Sequence, residues 1–490
     1  MDSSVDLPKN NYKKSIKSGV VWNTFMVLIN QGSGILVKLI LARMLVPEYF
    51  GLVGMAVVFT GLFKVINESG MKSALIQRKE LDLKPIHFDS VFWFSIVFSS
   101  FLFLLVITIL APFTAWFYEE PFLYILTICL SISLLINPLN LIHRVKLSRD
   151  LNFKKIAVIT TTATVIVSSS SIILAFLGAG IWSIVFQSIG IPLLTVPLMW
   201  RATKWRPRLK FSWIALSSIF SFSIYTMGTS IVNFLRNNLD YLLIGKMLSA
   251  YFVGLYAIVF MVTETTRTKV YSIINQAMFP IYSRMQDDLN SLKYFYLLTM
   301  KYNALITFPF FMVLAFFSEH LLFYFLGAEW VEASFALTIL ALASIVFGFA
   351  STPGEILKAI GKPKVSFKVM LYNTLFIALP LLYIGIKYFG INGAAIATLI
   401  HFAISRLIFQ MYMYKYINVS IVDVIRSLNI PLLGSLLSVG VIYLFIVYVS
   451  VPMNFVFLLI YILLAMLLYV LIIYIAMKDE LVKLIKSFKK

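Results

Sequence analysis

Charge is scarce in this chain: 13% of its 490 residues are Asp, Glu, Lys or Arg, while 60% are hydrophobic. A soluble protein of this length needs far more charge to cover its surface, so the composition excludes that class. Cysteine is almost missing. Cys129 stands alone inside an apolar segment, which rules out a disulfide framework or a thiolate metal site within one chain. His87, His143, His320 and His401 are scattered without the spacing of a metal site. No Gly-x-x-x-x-Gly-Lys-Ser/Thr loop occurs, which argues against direct ATP hydrolysis. The acidic pair Asp287-Asp288 reads as a solvated loop. No catalytic constellation remains, so the expectation is a non-enzyme with no metal and no cofactor.

What is present is apolar sequence in long runs. A helix needs roughly 20 apolar residues to cross a hydrocarbon layer about 30 Å thick, and Phe92–Phe113 and Phe455–Ala476 are such runs. The pattern predicts an all-α polytopic membrane protein with about fourteen spans, near 19–44, 50–70, 88–112, 121–142, 156–177, 181–200, 213–243, 252–275, 295–317, 333–354, 366–387, 391–413, 429–450 and 454–476. The run from Gly19 is too long for a signal peptide and lacks a small-residue cleavage site, so it reads as a retained span.

The net charge of +20 does not point to nucleic acid, because the cations fall in short loops between apolar runs. One set of loops carries Lys72, Arg78, Lys79 and Lys84, then Arg144, Lys146, Arg149, Lys154 and Lys155, then Lys204, Arg206, Arg208 and Lys210, then Lys362 and Lys364. Lys13, Lys14 and Lys17, and Lys483, Lys486, Lys489 and Lys490, fall on the same side. The alternate loops, around Glu119-Glu120, Gly178-Ala179-Gly180, Glu329 to Glu332 and Gly390 to Gly393, are nearly free of cations. The positive-inside rule then places both termini in the cytoplasm, with basic loops against anionic membrane lipids. The outer loops are too short to hold a domain that does chemistry.

The chain also repeats. Arg43-Met44-Leu45 and Gly51-Leu52 match Lys246-Met247-Leu248 and Gly254-Leu255 at a constant offset of 203, which also pairs Asn30 with Asn233, Thr60 with Thr263 and Lys64 with Arg267. An offset of 214 pairs Arg144 with Lys358 and Phe153-Lys154 with Phe367-Lys368. The expected architecture is two six-helix lobes in a pseudo-two-fold parallel repeat, 1–210 and 211–415, followed by a terminal pair with a basic tail, 416–490. Lobes that rock about a central cavity make an alternating-access transporter.

Ionisable residues at membrane depth are the candidate site. A charge facing lipid at mid-helix costs at least ~2.5–3.5 kcal/mol, so each should face water or a partner. They are Lys38, Lys64 and Glu68 in the first lobe, and Arg236, Asp240, Glu264, Arg267, His401 and Arg406 in the second. Asn233, Arg236, Asn237 and Asp240 share one helical face, a polar stripe that lines a cavity; the alternative is a self-neutralising Arg236–Asp240 pair. Lys64 and Arg267, the repeat partners, suit an anionic diphosphate, or else snorkel to the headgroups. Glu264 is the first candidate for binding a coupling ion and Asp240 the second; a structural Glu264–Arg267 pair stays open beside that reading. Lys38 either joins the cavity or snorkels outward. Asn30-Gln31-Gly32-Ser33-Gly34 reads as tight packing or a hinge, and Thr160–Thr162 with Ser168–Ser171 as interhelical hydrogen bonding.

Several segments, in order, resemble the polysaccharide flippases (Wzx type) of the MOP superfamily, above all the branch that exports colanic or teichuronic acid units. They are Trp22-Asn23, Leu41-Ala42-Arg43-Met44-Leu45-Val46-Pro47-Glu48-Tyr49-Phe50-Gly51-Leu52, Gly70, Ala74-Leu75-Ile76-Gln77, Leu147-Ser148-Arg149-Asp150-Leu151-Asn152-Phe153, Gly180-Ile181-Trp182-Ser183 and Asp240-Tyr241-Leu242-Leu243-Ile244-Gly245-Lys246. The resemblance implies an inner-membrane protein of lipopolysaccharide, capsule or exopolysaccharide biosynthesis that flips undecaprenyl-diphosphate-linked oligosaccharide through a basic cavity. It implies no ATP use. Without a nucleotide site, resetting a cation-lined cavity has to draw on a gradient, so H⁺ or Na⁺ is the expected coupling ion; the expected state is a monomer beside a polymerase. Two other classes stay open. A multidrug/cation antiporter of the same superfamily would stop at twelve spans with an acid-dominated cavity, and a membrane polymerase or ligase would carry a large outer loop.

Overall fold

The computed structural model describes residues 32, 34–68, 71–78, 82–349, 352–449 and 453–488. The start of the first expected span, with Trp22-Asn23, Asn30-Gln31 and Ser33, lies outside them, as do Lys13, Lys14, Lys17, Gly70, Lys79, Lys489 and Lys490. Among the described residues the regular structure is helical throughout, without a strand. Ten stretches among them are long and apolar enough to cross a membrane by length and composition. The expectation of an all-α, multi-pass membrane protein is borne out.

Residues 34–44 form α1. Then come α2 (Pro47–Glu68), α3 (Met71–Gln77), α4 (Pro85–Leu105), α5 (Ala111–Tyr118), α6 (Phe122–Arg149), α7 (Phe153–Phe176), α8 (Ile181–Thr203) and α9 (Trp213–Met247). They are followed by α10 (Ala250–Arg284), α11 (Leu289–Phe316), α12 (Ser318–Phe325), α13 (Ser334–Gly348), α14 (Pro353–Ala359), α15 (Pro363–Asn373), α16 (Leu379–Ile417), α17 (Ile421–Val449) and α18 (Phe455–Phe488). Single π turns at Val106–Leu110 and Thr374–Ala378 precede Pro112 and Pro380. Proline lacks an N–H and its ring crowds the carbonyl four residues back, and the wider turn relieves both.

α16 is two helices. Gly390 has φ 57° and ψ −138°, outside the helical range, and a Cβ on Gly393 would stand 1.8 Å from the Gly385 carbonyl oxygen. Eight residues of straight helix span about 12 Å, so this contact requires the chain to double back at Gly390. Glycine is needed at 390 for the positive φ, and at 385 and 393 for the close approach.

The chain divides into two compact units, 1–254 and 255–490. In the first, Ser171 donates to the Ser183 carbonyl at 2.5 Å and Gln187 to Ser168 Oγ at 3.0 Å, which ties α7 to α8. Thr160 bonds back to the Ile156 carbonyl at 2.8 Å. Arg149 at the end of α6 donates to the carbonyls of Leu75, Ile76 and Arg78 at 2.8, 3.1 and 2.8 Å, which caps the last turn of α3. Three residues on, Asn152 caps α7 through Lys155 N–H at 3.3 Å. The segment around Arg149 and Asn152 therefore ends one helix and starts another. In the second unit α11 is the core helix, with Tyr296, Met300, Phe308 and Phe311 fully buried.

The repeat reappears as a contact. A Cβ on Gly51 of α2 would lie 1.6 Å from the Ala250 carbonyl oxygen, and one on Gly254 of α10 would lie 1.8 Å from the Pro47 carbonyl oxygen. Pro47 and Ala250 are related by the same offset of 203 as Gly51 and Gly254. The two helix starts thus cross backbone to backbone, and the exchange is symmetric under the repeat, as in an isologous interface.

No side chain fits that crossing. Gly51→Ala and Gly254→Ala should each lower the thermal midpoint of the purified protein, by at least the ~1–3 kcal/mol of ordinary overpacking. Gly440→Ala, where nothing lies within 4 Å of the new Cβ, should be neutral or stabilising. Equal midpoints for all three variants would contradict the crossing.

Candidate functional site

α9 is fastened to the first unit at both ends. At its start, the segment before it is strapped to α4: Asp89 Oδ1 accepts from Arg208 N at 3.1 Å, Ser90 Oγ from Ser212 N at 2.9 Å, and Trp93 Nε1 donates to the Arg208 carbonyl at 2.8 Å. Leu216 and Ile219 pack against Met71, Ala74 and Leu75 of α3, and Arg78 donates to Ser218 Oγ at 2.6 Å. At its other end Lys246 Nζ meets Glu119 Oε1 at 2.8 Å and lies 5.4 Å from the Phe117 ring centroid. The bond to Lys246 holds the Glu119 carboxyl below the usual carboxylate range. That stabilisation is present above the ordinary carboxylate pKa and is lost as pH falls through the lowered value.

Between these ends runs the polar stripe. α9 packs antiparallel to α2, with Gly54 against Tyr241 and Gly61 against the Phe234 ring. This register sets Lys64 level with residue 231 and Arg236 level with Phe59, roughly 7–8 Å apart in depth at 1.5 Å per residue. Lys64, Arg236 and Asn237 are exposed in the protein, and Asn233 is half-buried. Arg236 donates through Nε and a terminal nitrogen to Asn237 Oδ1 at 3.3 and 3.2 Å, and does not form the expected alternative pair with Asp240. Asp240 turns inward and is buried, with Oδ1 accepting from Tyr241 N at 3.0 Å. Lys64 and Lys38 have no hydrogen-bonding or ion-pair partner among the described residues, and Lys38 is exposed on α1.

In the second unit, the repeat partner of Lys64 has the opposite character. Arg267 on α10 is 6% exposed and donates to Glu264 Oε2 one turn earlier. Its guanidinium carbon lies 4.5 Å from the ring centroids of both Phe347 on α13 and Phe402 on α16. This is a cation held by one carboxylate and two aromatic faces. The pair reading of Glu264 and Arg267 is realised here, and Glu264 keeps partial exposure, 24% for its side chain. Arg406 is likewise buried, donating to Tyr296 Oη at 3.3 Å and to Gln410 Oε1 at 2.6 Å. Sequence reasoning missed Phe347 and Phe402, which carry no local mark of a cation partner. It also missed the Lys246–Glu119 clasp, whose members stand 127 positions apart. No group of His, Cys, Asp and Glu suited to a metal is assembled among the described residues.

Comparison with known proteins bears on what such a site serves. The model of a family described as "Polysaccharide biosynthesis protein" matches residues 40–335. Lipopolysaccharide biosynthesis protein WzxC of Escherichia coli (strain K12) is 24% identical over 87% of this chain and 86% of its own length. Teichuronic acid biosynthesis protein TuaB of Bacillus subtilis (strain 168) is 24% identical over 72% of this chain and 73% of its own. Among solved structures, lipid II flippase MurJ in an inward closed conformation superposes with a TM-score of 0.75 at 19% identity, over 94% of this chain and all of that one. A multidrug resistance MATE family transporter of the MOP superfamily gives 0.62 at 15% identity, over 80% and 94%. This chain shares its fold with both.

The two kinds of cation should respond differently to mutation. Glu264→Gln strands a buried guanidinium, which costs about 3–5 kcal/mol in a fully buried pair and less here because Glu264 is partly exposed. Lys64→Ala removes an exposed, unpaired side chain and should leave the thermal midpoint within error. A larger midpoint loss for Lys64→Ala than for Glu264→Gln would invert this assignment.

Proposed function

Because the chain belongs to the polysaccharide biosynthesis protein family, we propose that it is a flippase that carries undecaprenyl-diphosphate-linked oligosaccharide units across the cytoplasmic membrane by alternating access. The observation that carries this reading is the presence of exposed cations, Lys64 and Arg236, on the apolar-flanked helices α2 and α9, without a carboxylate partner among the described residues. A cation that faces neither lipid nor a counter-ion needs an anionic ligand or water. A diphosphate supplies several acceptor oxygens, which the Arg236 fork and the Lys64 point charge can share. Lys38, Asn233 and Asn237 extend the same polar surface toward the sugar.

The antiporter reading has less support. It asks for an acid-dominated cavity, whereas Asp240 is buried and Glu264 is engaged by Arg267. We assign Glu264, then Asp240, the binding of H⁺ or Na⁺ that couples resetting of the empty, cation-lined cavity to a gradient. A ligand shifts a two-state equilibrium only by its differential affinity, so the acid has to be accessible in one state and paired in the other. The architecture in this proposal is fourteen spans in lobes 1–210 and 211–415 with a terminal pair 416–490, both termini cytoplasmic, working as a monomer beside a polymerase. Its support is the symmetric Gly51–Gly254 crossing, the reversal at Gly390, and the length of α9 and α10, 35 residues each.

In vesicles reconstituted with the protein and a fluorescent undecaprenyl-diphosphate sugar, Lys64→Ala and Arg236→Ala should each slow flipping at least tenfold with unchanged insertion. Collapsing the proton and sodium gradients should slow the wild type, and Glu264→Gln should remove that sensitivity. Wild-type rates in both cation variants would sink the basic-surface reading; indifference to every gradient would sink the coupling role. A reporter fused at Ala179 should read as outside and one at Arg206 as inside, and the reverse would overturn the orientation.

A further inference from the structure

The seam between α10 and α11 carries a ladder of buried polar side chains. The Tyr271 and Thr307 hydroxyls meet at 3.3 Å, and further along α10 the Tyr282 hydroxyl donates to Thr299 Oγ1 at 2.6 Å. All four residues are almost fully buried. The helices run antiparallel about the turn that ends at Asp288, so one turn from each member of the first rung brings Asn275 level with Asn303. Asn303 is fully buried, and neither its Nδ2 nor its Oδ1 has a hydrogen-bond partner among the described residues.

A carboxamide offers two N–H donors and an acceptor oxygen, and proteins do not leave such a group unmet at the centre of a core. The stripe around it is polar on both sides, since Thr299 and Thr307 stand one turn away in either direction on α11. A buried carboxamide flanked by hydroxyls in this way is met by water, which makes about three hydrogen bonds to otherwise unmet groups. A bare cation fits less well, because the Asn303 N–H groups repel it and Glu264, the acid on this stretch of α10, is engaged by Arg267.

The ladder also leads somewhere. Tyr271 stands one turn from Arg267 on α10, and its ring packs 5.6 Å from the Phe347 ring that covers the Arg267 guanidinium. At the other end, Tyr296 on α11 accepts from Arg406, Arg406 donates to Gln410, and Gln410 Nε2 donates to the Val419 carbonyl at 2.7 Å, at the turn between α16 and α17. We infer that water occupies the α10–α11 seam at Asn303 and joins the Tyr271–Thr307 and Tyr282–Thr299 rungs into one polar track between the Glu264–Arg267 pair and the helix ends near Arg284 and Asp288. The track gives the pair a route to the aqueous phase along α10 and α11. It deepens the coupling role proposed for Glu264 and rests on that reading for its use, but not for its existence.

Radiolytic hydroxyl-radical labelling of the purified full-length protein tests it, because ordered water delivers radicals to buried side chains. In the wild type, Tyr271 and Tyr282 should be modified well above background despite their burial. Asn303→Leu, close in volume and unable to hold water, should cut Tyr271 labelling at least fivefold, while Asn303→Ser should keep it within twofold. Background labelling of both tyrosines in the wild type, or equal Tyr271 labelling in wild type and Asn303→Leu, overturns the inference. The wild-type measurement decides even if the leucine variant fails to fold. In vesicles with an imposed gradient, flipping should fall with Asn303→Leu and recover with Asn303→Ser; a leucine variant as fast as the wild type would count against the track. The labelling needs no substrate, so it stands or falls apart from the flippase reading.

Discussion

A charge inside a hydrocarbon layer has three stable outcomes: it is neutralised, it reaches water, or it moves to the surface. The ionisable residues of this chain divide along those lines, and the division organises the account. Arg267 and Arg406 are enclosed within the second unit, held by Glu264 and two phenyl rings in one case and by Tyr296 and Gln410 in the other. Lys64, Arg236 and Lys38 keep exposed positions in the first unit. These cations are thus enclosed by partners in the second unit and open in the first.

The polarity of α9 and α10 follows from the same constraint. Each is 35 residues long. Charged and amide side chains interrupt their apolar sequence, and those are the side chains that form the candidate site. A helix of this kind is stable in a membrane only where neighbours or water meet its polar face. α9 has its neighbours at both ends, through Ser218 and Arg78 at one and Lys246 and Glu119 at the other. Its middle stays open at Arg236 and Asn237.

The helical class and the reversal near Gly390 were legible in the sequence because each is a local pattern of apolar runs or glycine. The offset of 203 is a pattern of the sequence, and two glycines that it pairs, Gly51 and Gly254, meet where α2 and α10 cross. What the sequence hid were partners brought together by packing. Phe347 and Phe402 look like any other phenylalanine in an apolar span until Arg267 is placed between them. The Arg236–Asp240 spacing suited a pair, but Asp240 turns inward while Arg236 stays out and bonds Asn237. Spacing gives the face of a helix, whereas the direction of each side chain depends on the neighbouring helix.

The central claim is that exposed cations on α2 and α9 recognise the diphosphate of a lipid-linked sugar. Native mass spectrometry of the purified protein with undecaprenyl diphosphate, undecaprenyl monophosphate and the neutral alcohol tests it most directly. The account predicts binding in that order for the wild type, and loss of the preference for diphosphate in the Lys64→Ala, Arg236→Ala double variant. Equal binding of diphosphate and neutral alcohol by the wild type, or an unchanged preference in the double variant, would contradict it.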